Sequence, residues 1–383
     1  MADPAPTDHA PDGRPPRFGR IQIEVTSRCN FHCTFCADRV MTRPRGDMEL
    51  DLLREVVRQI VADDLTHTVE LNLMGEPTLY RHLDQAIALC HEAGLRVELN
   101  TNGFLVTPDR MRALLAQGTD HVLLSLQTPD EESFAARGVK APFQRYRETL
   151  VAACAEALQT PGTGECTLSF LTTPTRAILP TTAVRTITNR DQLQRHLLDW
   201  LDAVVAQLTD ADLARRITEA RPAIAARIGR SGLYSWNRIK ITERLFLETR
   251  ILGDWVHGGL TSERCYPSWF GACEGLTEHI GVLWNGDLVF CCIDYDGNTV
   301  FGNAGQERIA DALERDEVRA AVEGFRRYRL VHPYCKRCMG DRDPFGALFR
   351  MVGSSVYFAF LREGQRRKRD REPVLVPGEA DGS

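Results

Sequence analysis

The stretch that decides the reading is EVTSRCNFHCTFCADRV, residues 24–40. It gathers Cys29, Cys33 and Cys36 within eight residues of one loop. The spacing Cys-x3-Cys-x2-Cys supplies three thiolates and no fourth. A structural zinc takes four tetrahedral ligands, and His32 in the same loop is the residue that could complete such a set. Iron–sulfur cubanes that only carry electrons normally use four cysteines. Three thiolates therefore point either to zinc with His32, or to a cubane with one iron left open to bind something else.

Working outward, the chain has 383 residues, room for one large domain and a smaller one. Apolar residues make up 43% and charged residues 26%, with a net charge of −5, so no broad basic surface for nucleic-acid phosphates is expected. The first residues, MADPAPTDHAPDGRPPRFGR, are proline-rich and polar and lack the apolar core of a signal peptide. No run approaches 18 apolar residues, so no membrane span is expected either. The expected location is cytoplasmic, where clustered cysteines bind metal more often than they form disulfides. Of the twelve cysteines, Cys90, Cys154 and Cys166 stand alone among apolar residues and read as small buried side chains.

Between residues 20 and 173 strands and helices alternate. RIQIEVT (20–26), HTVELNLMGEP (67–77), RVELNTNG (96–103), HVLLSLQT (121–128) and ECTLSFLTT (165–173) read as strands. Helical spacing falls on 48–64, 83–95, 107–118 and 144–159, with Gly94 and Gly118 as C-terminal stops. This is an α/β architecture with a parallel sheet, closed or partly closed into a barrel. Such folds place chemistry at the C-terminal ends of strands. There lie the cysteine loop, Gly75-Glu76-Pro77, Asn100 to Gly103, and Ser125 to Gln127. Residues 189–230 look helical, an insertion or cap beside the barrel mouth, and WNRIKI (236–241) reads as a strand that completes the barrel. From about 260 the texture changes to Asn-Gly and Asp-Gly dipeptides, the marks of β-hairpins.

The cysteine motif, its place after the first strand and the Gly-Glu-Pro after the second resemble the radical S-adenosylmethionine (SAM) superfamily. The resemblance implies a partial (β/α)6 TIM-like barrel in which Cys29, Cys33 and Cys36 hold a [4Fe–4S] cluster. SAM then chelates the open iron and is cleaved to a 5′-deoxyadenosyl radical that takes a substrate hydrogen. It implies that the backbone around Phe35 lies against adenine, and that Gly75 and Glu76 meet the SAM amino group as the family's Gly-Gly-Glu element does. Here Met74 stands in place of the first glycine. Asn102, Ser125 and Gln127 are implied contacts to ribose or carboxylate; Ser125 and Gln127 read equally as strand residues satisfying the polarity of a barrel interior.

A second cysteine group occupies the C-terminal part. Cys273, Gly286 and Cys291 follow the pattern Cys-x12-Gly-x4-Cys, and Cys335 and Cys338 come later. The spacing resembles the SPASM and twitch auxiliary-cluster domains. No cysteine follows Cys338, so the resemblance is to the twitch form. It implies one auxiliary [4Fe–4S] cluster held by Cys273, Cys291, Cys335 and Cys338. Cys291 and Cys292 are consecutive, and only one faces inward from a strand; the distance from Gly286 favours Cys291. Cys265 reads as a spare thiol or an alternative ligand.

The implied organisation is a disordered tail over 1–19, a core barrel over 20–259 with a helical insertion at about 175–232, an α+β auxiliary domain over 260–345, and a C-terminal helix with a charged tail over 346–383. The twitch spacing looks closest to the aminocyclitol dehydrogenase of butirosin biosynthesis. That resemblance implies oxidation of a small secondary alcohol, with the auxiliary cluster accepting the electron and flavodoxin or ferredoxin as donor. Arg238 is a candidate substrate contact, and its bland alternative is a salt-bridged arginine. The rival reading is a maturase of a ribosomally made peptide. About 19 residues before the first strand are too few for a leader-binding domain, which favours a small substrate. An iron–sulfur carrier or zinc adaptor is the non-enzymatic alternative, and it leaves the three-thiol loop unexplained.

Overall fold

The computed structural model describes residues 18–174, 184–252, 258–261, 263–364, 367 and 371–377. The expected N-terminal tail, the first residues of the expected insertion and much of the charged tail lie outside the described residues. In chain order the elements are β1 (Arg20–Ile23), α1 (Leu50–Ala62), β2 (Thr68–Glu70), α2 (Leu83–Glu92), β3 (Arg96–Thr101), α3 (Pro108–Ala116), β4 (His121–Gln127), α4 (Glu131–Phe134), α5 (Phe143–Gln159) and β5 (Glu165–Thr172). Then come α6 (Arg190–Val205), α7 (Ala211–Gly229), β6 (Asn237–Lys240), β7 (Leu245–Ile251), α8 (Gly258–Thr261), β8 (His279–Val282), β9 (Asp287–Val289) and β10 (Gly302–Asn303). The last helices are α9 (Ile309–Leu313), α10 (Asp316–Arg326), α11 (Pro333–Cys338) and α12 (Pro344–Val356).

These elements form two compact units. The first holds the chain up to Cys29, then Cys36–Val97 and Asp254–Gly364; the second holds Asn30–Phe35, Glu98–Gly253 and the chain from Gln365. In the first unit the strand order is β10-β9-β8-β1-β2. Strand β1 runs parallel to β2 and also to β8, in register from Arg20 opposite His279 to Ile23 opposite Val282. The hairpin β8–β9 and the pair β9–β10 are antiparallel. The hairpin expected to open a separate C-terminal domain is thus hydrogen-bonded to the first strand. Residues alternate along β1: Ile21 and Ile23 are fully buried, and Arg20, Gln22 and then Glu24 point the other way, as the two-residue period of a strand requires. Helix α1 buries Leu53, Val56, Val57 and Ile60, the apolar stripe of its helical period.

In the second unit β3, β4, β5 and β7 are parallel neighbours, with β6 antiparallel on β7. The strand that follows β5 in the sheet is therefore β7, which the sequence reading did not assign. WNRIKI forms the antiparallel edge. Helices α6 and α7 and strand β6 lie between β5 and β7 in the chain, and α6 packs on this unit. Its Trp200 is buried against Phe143 and Phe170 and donates Nε1–H to the Pro129 carbonyl at 2.9 Å. Helix α3 begins as its sequence indicates: Thr107 caps Arg110 N at 3.2 Å and Pro108 takes the first turn. Cys90, Cys154 and Cys166 are buried, and the last two lie 3.8 Å apart, sulfur to sulfur.

The C-terminal helix departs from the composition. Helix α12 continues through a π-helical turn, Tyr357–Leu361, to give one helix from Pro344 to Gly364, long and apolar enough to cross a membrane. The two charged side chains it includes before Glu363, Arg350 and Arg362, interrupt the run and hid it from a search for continuous apolar sequence.

Candidate metal centres

The chain entering the cysteine loop is clamped in the first unit. Gly75 has φ +81°, and a Cβ there would lie 2.3 Å from the Thr26 carbonyl oxygen and 2.9 Å from that of Arg28. Only glycine fits so close to another backbone. The next residue, Glu76, donates its N–H to the Arg28 carbonyl at 2.7 Å. Its buried carboxylate caps the following 3-10 turn, Oε1 accepting from Thr78 N at 3.1 Å and Thr78 Oγ1 at 2.6 Å. Gly75 and Glu76 are therefore fixed against the backbone immediately before Cys29. Met74 is tolerated before them because its side chain points into a core of Ala37, Leu73, Leu283, Val289 and Tyr295. Cys36 and Cys292 both rest on that core, and Cys36 Sγ accepts Asp38 N–H at 3.5 Å. Arg45 ties the far side of the loop to the near side, reaching Asp38 at 2.5 Å and the Ser27 carbonyl at 3.1 Å.

Sequence reasoning missed Glu24, the first residue of the quoted stretch. It is fully buried, and burial pushes its carboxyl up while the Arg43 guanidinium at 2.5 Å opposes that shift. Its oxygens also accept Met74 N and Trp284 N, both at 3.3 Å. One carboxylate thus links β1, the Met74-Gly75-Glu76 turn and the β8–β9 hairpin. The signal was its place in the alternation Arg20, Gln22, Glu24.

The second unit holds the middle of the loop. His32 N donates to Arg137 O at 3.1 Å and Thr34 N to Ala136 O at 2.8 Å, which fixes the backbone on either side of Cys33 and leads into Phe35. Phe31 is buried among Phe104, Phe134 and Tyr146, with the Arg137 guanidinium 4.8 Å from its ring centre. Asn102 Nδ2 donates to Asn30 Oδ1 at 2.8 Å. Ser125 donates to Asn100 Oδ1, and Arg137 donates to Gln127 Oε1 and, at 3.0 Å, to Ser125 O. Gln127 has φ +59°, a left-handed conformation unusual for a residue with a Cβ, where the β4–β5 register shifts. The structure thus brings Asn102, Ser125 and Gln127 into networks with Asn30, Asn100 and Arg137. Arg137, 2% exposed, was missed because a lone arginine in a polar loop reads as solvated.

Arg238, the candidate substrate contact, is salt-bridged. It is bound to Glu165 at 2.9 Å and lies 3.9 Å from the Phe246 ring centre. Glu165 is the first residue of β5, at the strand's N-terminal end, opposite to where parallel sheets place their chemistry. Polar side chains nearer the middle of the sheet were missed. Ser169 donates to the buried Glu248 at 3.1 Å and Arg250 does so at 2.5 Å, whereas His121, opposite Glu165 at the N-terminal end of β4, meets Thr167 Oγ1 through Nε2 at 2.8 Å. Burial alone raises the Glu248 carboxyl, but Arg250 and hydrogen bonds from Arg250 and Trp236 hold it below the ordinary range.

The second cysteine group lies wholly in the first unit. Helix α11 presents Cys335 and Cys338 one turn apart, Cys291 follows β9, and Cys273 Sγ accepts Gly275 N–H at 3.4 Å. The four converge. Burial first, then the neighbouring thiols Cys273, Cys292, Cys338 and Cys335, push Cys291 well above an ordinary thiol. Burial and Cys273 push Cys338 up to about 12 and raise Cys335 as well. Burial, opposed by Arg20, and then Glu70 and Cys273 raise Cys292 to about 11, so its thiol stands in the same group. Thiols so buried and crowded ionise only against added cationic charge, which is what a metal cluster brings. Four buried thiols in one group are the donor set a cubane takes, one to each iron.

Comparison with known proteins gives the class. Residues 23–168 match the Radical SAM superfamily, and residues 273–339 match SPASM, an iron–sulfur cluster-binding domain. The chain carries a radical SAM domain and, after it, a SPASM domain. The first domain implies a SAM-binding [4Fe–4S] cluster and the second implies auxiliary iron–sulfur clusters. Among its relatives, the GTP 3′,8-cyclase of Synechococcus sp. (strain CC9902) is 38% identical over 128 residues, 32% of this chain and 35% of that one. The S-adenosyl-L-methionine-dependent 2-deoxy-scyllo-inosamine dehydrogenase of Niallia circulans is 28% identical over 125 residues, 32% of this chain and 49% of that one. The matches thus span about a third to a half of these relatives. Among solved structures, Streptococcus suis SuiB bound to the precursor peptide SuiA gives a TM-score of 0.51 at 18% identity, over 81% of this chain and 67% of that one. That likeness shows the fold alone.

Proposed function

We propose that the chain is a radical SAM oxidoreductase that dehydrogenates a small aminocyclitol or sugar alcohol in natural-product biosynthesis. The observation that carries this is the convergence of Cys273, Cys291, Cys335 and Cys338. Four thiolates complete one cubane and leave no open iron, which suits an electron acceptor. When bound, the clusters and SAM supply one-electron chemistry: reductive cleavage of the sulfonium and acceptance of an electron from substrate.

The chain's own residues anchor and orient. Cys29, Cys33 and Cys36 hold the first cluster. Gly75 and Glu76 present backbone oxygens and a carboxylate to the SAM ammonium, and the backbone at Phe35 lies along adenine. Asn102, Ser125 and Gln127 serve ribose and carboxylate. The group Ser169, Glu248 and Arg250 offers fixed donors and acceptors suited to hydroxyl and amine groups. Flavodoxin or ferredoxin in the cytoplasm supplies the electron.

The test uses 2-deoxy-scyllo-inosamine and related alcohols deuterated at the reacting carbon, with enzyme, SAM and reductant. Deuterium is expected in 5′-deoxyadenosine, one for one with a product two hydrogens lighter. Deuterium retained in product with SAM regenerated overturns the dehydrogenase reading. Turnover of a precursor peptide with no alcohol oxidised makes the protein a peptide maturase instead.

A further inference from the structure

The helix 344–364 is built the wrong way round for a surface helix of a globular protein. Phe345, Leu348, Phe349, Val352, Val356 and Phe360 recur at intervals of three and four residues, one face of a helix, and that face is exposed. Phe345, Phe349 and Phe360 are 81%, 80% and 78% exposed. Only 6% of the helix's most apolar window is buried, so it is not the core helix of a soluble fold, and its place after both domains is not that of a signal sequence. The opposite face is the one that packs. Ala347 is buried, and Arg350 donates to the Cys338 carbonyl at 3.2 Å and pairs with Asp341 at 3.5 Å. A Cβ on Gly271 would lie 3.1 Å from Ser354 Oγ. The helix is therefore held lengthwise on its own unit, which rules out a span and leaves an apolar ridge facing outward.

What flanks the ridge indicates its occupant. From Pro344 to Leu361 the only charged residue is Arg350, and it is turned inward. Before the helix, exposed Arg342 stands between Asp341, the partner of Arg350, and exposed Asp343, so that end carries no net positive charge. After it, residues 366–372 read RRKRDRE, five cations against two acids, and one of those acids, Glu372, is paired with Arg227. Beside Ser354, the segment that includes Gly271 carries Trp269, 66% exposed, with the Lys336 ammonium 4.3 Å from its ring centre. An uncharged aromatic ridge continued by a basic segment, with an exposed tryptophan beside it, matches the interface of an anionic lipid bilayer, apolar side chains in the acyl boundary and cations at the headgroups. We propose that helix 344–364 docks the protein in-plane on an anionic membrane surface. This holds whatever the substrate and is independent of the dehydrogenase reading.

The experiment is flotation of the full, cluster-loaded chain with vesicles of phosphatidylglycerol and phosphatidylcholine, against phosphatidylcholine alone, at low and high salt. Binding to the anionic vesicles, weakened by salt and accompanied by a blue shift of tryptophan emission, is expected. The variant Phe345→Ser/Phe349→Ser/Phe360→Ser is expected to bind at least about 100-fold more weakly. Arg367→Glu/Arg371→Glu, two exposed positions, is expected to lose about 10-fold or more on anionic vesicles only. The replaced side chains are exposed, so iron content and circular dichroism should match the wild type, and a variant failing that check is replaced by the charge-reversal pair. Absence of wild-type binding at low salt overturns the proposal. So does a dimer in solution that the triple serine variant converts to monomer, because the ridge then belongs to a second copy of the chain.

Discussion

Gly75→Ala tests how the turn proposed to meet SAM is held. At φ +81° a residue with a Cβ loses about 1–2 kcal/mol relative to glycine. The new Cβ would also sit 2.3 Å from the Thr26 carbonyl oxygen, so the turn must retreat by roughly 1 Å to reach ordinary contact. That retreat breaks the 2.7 Å bond from Glu76 N to Arg28 O, worth about 1 kcal/mol. The sum, about 2–3 kcal/mol, is lost from the binding-competent arrangement, so SAM affinity should fall about 30- to 150-fold. Equilibrium binding of SAM to anaerobically reconstituted protein measures this. Gly94→Ala is the control. Its φ is +79°, but nothing lies within 4 Å of the added Cβ. It should cost roughly 2 to 6 °C in melting temperature and leave SAM binding unchanged. If the two variants bind SAM equally well, the close approach of Gly75 to the cysteine loop does not position the turn.

Reconstituted protein should hold about eight irons, two cubanes, and Cys29/Cys33/Cys36→Ala should keep about half by iron assay. Cys335→Ala should lose the auxiliary cluster yet still cleave SAM, whereas Cys33→Ala should cleave none; full substrate turnover by Cys335→Ala without that cluster would end the acceptor role. His279 is buried with neither ring nitrogen hydrogen-bonded among the described residues, and burial, then Arg20, depress it to about 3. The unfolded chain protonates this histidine below about pH 6.5 and the folded chain does not until about 3, so stability present at neutral pH drains away as pH falls through that window. At pH 5 the loss is about 2 kcal/mol, and His279→Leu should remove it from the difference between denaturant midpoints at pH 7 and pH 5.

The sequence carried the strands that lead into the motifs and the grouping of the cysteines, because thiol spacing and two-residue alternation are local properties. Strand β7 escaped because its turn from β6, ITERL, has no glycine or asparagine to announce a hairpin, and Glu248 and Arg250 resemble solvent charges until Ser169 is brought beside them. The setting of Met74 was equally hidden: a departure from a glycine pattern gives no hint that the side chain has a core to enter. Helix 344–364 shows a deeper limit. Periodicity tells which residues share a face but not whether that face looks inward or outward.

The pairing of β1 with β8 has a consequence for synthesis. The partners are about 260 residues apart, so the first strand is made long before its neighbour on that side. At about 5–20 residues per second, that edge of β1 stays unsatisfied for roughly 13 to 50 s while the chain emerges. The exposed backbone is a template for wrong strands during that time. A chain ending near residue 260 would keep that edge open permanently. The segment that carries β8 is therefore what closes that edge of the first strand.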